Sequence, residues 1–157
     1  MERFPIGAGI SEMRGVIILI RENGGRAYLS QLANRSRLKI DHLLPVIDAA
    51  RMLGFVRVSG GSISLTESGN EIGYSNFQEL IKERLRRVEP FRSVLALLSH
   101  KALTTAHLTR ALRHKGVALS YNKEIDGELL TRMLTKWGIR TRLLDYDGRK
   151  GRWSLVR

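Results

Sequence analysis

Asp145 and Asp147 stand two positions apart near the end of the 157-residue chain, and His100, His107 and His114 recur at intervals of seven. Two carboxylates on one face of a strand can pass a proton or hold a hard cation, and aligned imidazoles can hold zinc. The surrounding residues argue for neither. Arg140, Arg142, Arg149 and Lys150 flank the aspartates, with no Glu or His beside them, and Asp147-Gly148 is a turn signal, so turn formation and salt bridging are their expected work. A helix boundary near Leu103-Thr104 puts His100 in a different element from the other two, and His42 stands alone. With no cysteine, disulfides, thiolate chemistry and Cys-containing zinc sites are excluded. There is no G-x-S-x-G elbow, Lys123 and Lys136 show no mark of an activated amine, and the glycines at 7–9 and 60–61 do not carry a buried strand into a helix. The chain reads as a non-enzyme with no metal and no cofactor.

What remains is charge. Lys and Arg number 27 against 15 Asp and Glu, a formal net charge of +12. Residues 1–72 carry nine basic and seven acidic side chains, whereas residues 73–157 carry eighteen and eight. A polyanion would therefore meet the second half. No apolar run approaches the roughly 18 residues of a membrane span, and the N-terminal stretch lacks a basic segment followed by an apolar one. The expectation is a soluble cytoplasmic protein without membrane insertion.

The elements that must position these charges follow from periodicity. Met13, Val16, Ile17 and Ile20 have helical spacing, with Ser11 as the expected N-cap and Gly24-Gly25 as the stop. After a short extended piece at Arg26-Ala27-Tyr28 comes a brief helix through Leu32, with Ser30 near its cap. A longer helix from about Ile40 to Leu53 follows, which Asp41 is expected to cap and Pro45 to tolerate early on. At Gly54 the period switches to two: 55–58 and 62–65 form a hairpin around Ser59-Gly60-Gly61, and Thr66 caps a short helix. Helix, short helix, longer helix, hairpin is the winged-helix order. A helix from Asn76 to Glu89 carries an apolar stripe that resumes beyond Pro90 through Leu98. The cycle then repeats. Thr104 or Thr105 caps a short helix, a looser stretch runs from Gly116 to Lys123, a helix covers about Glu124 to Trp137, and Gly138 hands over to a hairpin of 139–146 and 153–156.

The fold class read from this is mainly α with small β-hairpin wings, a tandem winged-helix (helix-turn-helix) protein. Its parts are a first domain at 1–74, a connecting helix at 75–89 and a basic second domain at 90–157. Winged-helix proteins send the third helix to the major groove and the wing to the backbone. The first domain suits duplex DNA poorly, because Asp41 and Asp48 face outward with Arg51 as counterweight and the wing tip is uncharged. It reads as a protein-contact module. The second domain offers Arg132 and Lys136 on one helix face, Arg149, Lys150 and Arg152 in the wing, and Arg110, Arg113 and Lys115 at the end of the preceding helix. Glu124, Asp126 and Glu128 weaken the first turns of its third helix, so phosphate contact is expected above base readout. The stripe from Phe77 to Leu98 also admits a homodimer.

Leu43-Leu44-Pro45-Val46-Ile47-Asp48-Ala49-Ala50, followed by Leu53-Gly54-Phe55 and Ile63-Ser64-Leu65-Thr66-Glu67-Ser68-Gly69, resembles the AAA-associated C-terminal domain family. Trp137-Gly138 and Leu144-Asp145-Tyr146-Asp147 are similar to that family's closing pattern, so the resemblance runs from about Gly24 to the end, with nothing specific between Lys101 and Lys123. It implies tandem winged-helix domains, no catalytic residue, and association with the ATPase subunits of nitrate-, sulfonate- or bicarbonate-type ABC importers, behind which the domain occurs as a fusion. This chain has no G-x-x-x-x-G-K-[ST] phosphate loop, so such an ATPase would be a separate polypeptide. Two functions are therefore expected: duplex DNA binding through the second domain, as a transcriptional or architectural factor, or a regulatory protein contact with an ABC-type ATPase through the first.

Overall fold

A computed structural model describes residues 3–73, 75–118 and 125–157. The backbone falls into two compact units, Gly7–Phe77 and a second made of the residues up to Ile6 together with Gln78–Arg157.

In the first unit the order is α1 (Ile10–Glu22), β1 (Arg26–Tyr28), α2 (Leu29–Ser36), α3 (Ile40–Met52), β2 (Val56–Ser59), β3 (Ser62–Leu65) and α4 (Glu67–Glu71). Its core is the apolar stripe of α1 (Met13, Val16, Ile17 and Ile20) with Leu32, Leu43, Ile47, Phe55 and Ile63, all buried. The hairpin gains a third strand from the extended piece at Arg26–Tyr28: the antiparallel order is β1-β3-β2, with Ala27 opposite Ile63 and Val58 opposite Ile63 from the other side. Gly60 and Gly61 turn the wing at φ 56° and 80°, a left-handed pair that matches the twist of the strands they join. Thr66 caps α4 as expected, accepting from the Gly69 N–H at 3.1 Å. Arg21 reaches from α1 to donate to the carbonyls of Gly69 and Ile72, at 2.9 and 2.6 Å, satisfying acceptors that the short α4 leaves open.

Three helix caps differ from expectation. α1 begins at Ile10 with Gly9, not Ser11, at the N-cap position. α2 has Tyr28 at its N-cap position, its N–H donating to Gln31 Oε1 at 2.9 Å, which puts Ser30 in the first turn and not at the cap itself. α3 begins at Ile40 after Lys39, which puts Asp41 inside the first turn and buried Pro45 within the helix. Asp41 still favours the helix there, because a carboxylate near the N-terminus meets the positive end of the dipole.

The second unit contains α5 (Phe77–Leu85, entered from the first unit), α6 (Phe91–Leu98), β4 (Leu103–Thr104), α7 (Thr105–His114), α8 (Gly127–Met133), β5 (Leu144–Asp147) and β6 (Arg152–Leu155). α5 stops at Leu85, short of the expected Glu89, and α6 starts after Pro90. Buried Glu89 accepts from both the N–H (2.8 Å) and the hydroxyl of Ser93, closing the first turn of α6. Phe77, Ile81, Leu85, Phe91, Val94 and Leu98 are buried within the chain. Leu103–Thr104 forms a short strand rather than only a helix boundary, giving the order β4-β6-β5 with Tyr146 opposite Trp153 and Asp147 opposite Arg152. Thr104 caps α7 through the His107 N–H at 3.2 Å.

The largest departure is at the end of the third helix. Gly138 does not end it, and Ile139 does not open a strand. α8 passes into a π-helical turn over Leu134–Ile139, and β5 starts only at Leu144. The wider turn keeps Leu134, Trp137 and Gly138 buried while Thr135 and Lys136 stay outside. Thr141, also buried, donates its hydroxyl to the Trp137 carbonyl, which the end of the helix would otherwise leave open. The expected helix start at Glu124 and most of the looser stretch lie outside the described residues; Asp126 caps α8, accepting from the Leu129 N–H at 2.8 Å.

Candidate functional site

Each cation singled out in the second unit is solvent-exposed. Arg110 and Arg113 lie on α7, and Lys115 is its C-cap residue. Arg132 is on α8, Lys136 in the π turn, Arg149 and Lys150 in the β5–β6 turn, and Arg152 on β6. They are not equivalent. Arg113 Nε donates to the Ile125 carbonyl at 2.8 Å, tying the end of α7 to the start of α8. Arg132 shares its charge with Glu128 at 3.1 Å, an exposed i,i+4 pair. Arg110, Lys115, Lys136, Arg149, Lys150 and Arg152 form no side-chain ion pair among the described residues.

The two aspartates do what turn chemistry asks. Asp147 Oδ1 accepts from the N–H groups of Arg149 and Lys150, at 2.9 and 3.3 Å, and Asp145 Oδ1 accepts from the Tyr146 N–H at 3.0 Å. Asp147 thus presents Arg149 and Lys150 at the wing tip. The wing is anchored at its base by Trp153, whose Nε1–H donates to Thr105 Oγ1 at 2.8 Å. Among the described residues, no group of three or more His, Asp and Glu side chains could hold a metal ion.

The first unit has a different outward face. On α3, Ile40 and Leu44 are one turn apart and half exposed, at 50% and 49%, with exposed Asp41 and His42 between them. Asp48 binds Arg51 at 2.6 Å, so the one cation within α3 is already paired. Two cations that pattern reading passed over, Arg37 and Lys39, lie in the turn before α3, with Arg37 held at φ 60°. Their signal was weak because they belong to a turn and to no amphipathic face.

The model of the C-terminal AAA-associated domain family matches residues 30–147, most of the chain. The chain belongs to this family. The match joins both winged-helix units, from the start of α2 to the end of β5, and so includes the α3 face and every singled-out cation up to Lys136. The tip cations Arg149, Lys150 and Arg152 of this AAA-associated domain fall just beyond the matched residues. No curated protein matches the chain. No helix among the described residues is long and apolar enough to cross a membrane.

Proposed function

We propose that this AAA-associated domain is a non-catalytic regulatory module that binds a separate transport-type ATPase through the α3 face of its first unit. The observation that carries this reading is the exposed pair Ile40 and Leu44, with Asp41 between them, on the helix where a DNA reader would present cations. Apolar side chains there gain by being covered by protein, whereas carboxylates facing phosphates are repelled. Family membership supports the same partner class, since the domain is AAA-associated by description and occurs fused behind ABC-type ATPase subunits. The test mixes the purified chain with the ATPase subunit of an ABC importer from the same cell and measures complex formation by calorimetry and the ATPase rate. Ile40→Glu with Leu44→Glu is expected to abolish binding while the thermal transition stays in place, because both side chains already meet solvent. An unchanged affinity would remove this surface from the proposal.

A second reading has its own support. The exposed cations Lys136, Arg149, Lys150 and Arg152, which form no ion pair among the described residues, make the second unit a candidate for phosphate-backbone contact with duplex DNA. Fluorescence anisotropy on a mixed-sequence duplex at low and raised salt tests it, with steep weakening by salt expected.

A further inference from the structure

Within the second unit, away from the wing tip, α5, α6, the bend before β5 and the end of β6 border a hollow of about 510 Å³. Four cations line it: Lys82 from α5, Arg86 just beyond the end of α5, Arg142 from the bend before β5, and Arg157 beyond β6. Its apolar lining is Leu95, Leu143, Leu155 and Val156. A smaller hollow of about 230 Å³ adjoins it across Leu155–Arg157 and adds His100 and Lys101. Among the described residues, no carboxylate side chain lines either one. Lys82 is paired with Glu79, 3.3 Å away and itself exposed. Arg86, Arg142 and Arg157 have no ion-pair partner among the described residues.

A charge-rich surface ordinarily intersperses acids with its bases. Here Arg86 and Arg142, without an ion pair among the described residues, line one hollow of small-ligand size together with an apolar floor. The walls are held ready. Gln78 Nε2 donates to the Thr141 carbonyl at 3.1 Å, joining α5 to the bend that carries Arg142, and the Arg142 N–H donates to the Ile139 carbonyl at 2.9 Å. Arg142 itself sits at φ 63°, a conformation a bulky side chain rarely adopts, fixed where the π turn hands over to β5. A site built before its ligand arrives loses less ordering entropy on binding.

We propose that this hollow binds a small amphipathic organic anion, with a carboxylate or phosphate head on Arg86 and Arg142 and an apolar body on Leu95, Leu143 and Leu155. Guanidinium forks match such heads in bidentate geometry, and the floor covers the body. The site is independent of the α3 face and of the wing cations.

The probe is octanoate, titrated by calorimetry into the intact chain, with acetate (head alone), 1-octanol (body alone) and phosphatidylglycerol vesicles as separate arms. Octanoate is expected to bind saturably and raise the thermal midpoint, and each single-feature probe to bind far more weakly. Arg86→Gln with Arg142→Gly should weaken octanoate by about tenfold or more, the loss of charge-assisted hydrogen bonds. Glycine relieves the left-handed backbone at position 142, so this variant keeps its fold, which circular dichroism confirms. Arg149→Gln should leave binding unchanged. Absence of saturable binding, equal binding of acetate or octanol, indifference to the double substitution, or preference for vesicles over octanoate would each overturn the proposal.

Discussion

Gly69 and Gly15 are the same residue under opposite constraints. A Cβ on Gly69 would lie 2.1 Å from the Phe55 carbonyl oxygen and 3.2 Å from Leu65 Cδ2, because α4 is seated directly on the turn into β2. That carbonyl accepts the Thr66 N–H at 3.0 Å and cannot retreat without breaking the cap that starts α4. Gly69→Ala is therefore expected to cost about 2–3 kcal/mol, at the upper end of overpacking. Gly15 is exposed in the middle of α1 with nothing within 4 Å of a Cβ. Gly15→Ala should stabilise by about 0.5–1 kcal/mol, from helix propensity and a less free unfolded chain. Urea unfolding of the two variants checks both signs, and a destabilising Gly15→Ala would mean α1 is not the regular helix described. Neither effect was legible beforehand. Ser68-Gly69 was visible only as a piece of a family pattern, and the contact that makes the glycine necessary comes from Phe55, a different stretch of chain.

At the scale of elements, periodicity located the helices and wings well and misjudged their ends. Thr66 and Thr104 were legible as caps because a short side-chain oxygen acts within three residues of itself. The strands β1 and β4 were less so: three and two residues cannot show an alternation, and each is defined by its partner, β3 or β6. The π turn was hidden because Gly138 signals a stop locally, while burial of Trp137 and the close seat of Gly138 on Leu144 carry the helix through it. The cations singled out in the second unit are all exposed, but their pairing was not legible, and pairing decides what each contributes. If the second reading holds, Lys136→Glu, Arg149→Glu and Lys150→Glu should remove more duplex affinity per charge than Arg51→Glu with Arg57→Glu. They should also flatten the salt dependence by about one unit of slope for each phosphate the protein no longer neutralises. Arg132→Glu alone should do less than Lys136→Glu, since Glu128 already shares its charge. Equal losses per charge in the two units would reduce the effect to net charge and dismiss a localised face.

At the scale of the whole chain, the second unit is closed by a residue from its far end. Phe4 is fully buried and meets Phe91 and Trp137 edge-on, with ring centroids 5.2 and 5.0 Å apart. Such edge-to-face pairs add to the area they bury. One aromatic in a stretch without periodicity gave no hint of this, because its partners lie more than eighty positions away. The consequence can be read with the protein's own probes. The chain has two tryptophans, Trp137 and Trp153, both buried in the second unit. Tryptophan emission therefore reports the unfolding of that unit, while α1 and α3 of the first unit are followed by methyl signals of Ile17 and Ile47 in nuclear magnetic resonance. Phe4→Ala should remove about 3–5 kcal/mol from the tryptophan-monitored transition, as large-to-small core changes do, and leave the methyl-monitored transition close to its original midpoint. Phe4→Leu, which keeps most of the volume, should recover a large part of the loss. A fragment beginning at residue 78 lacks Phe4 altogether and should behave like Phe4→Ala or worse, with red-shifted emission as Trp137 meets water. If Phe4→Ala instead moved the methyl signals and spared the tryptophans, the N-terminal residues would belong with the first unit, and the cavity it leaves would have to be sought there.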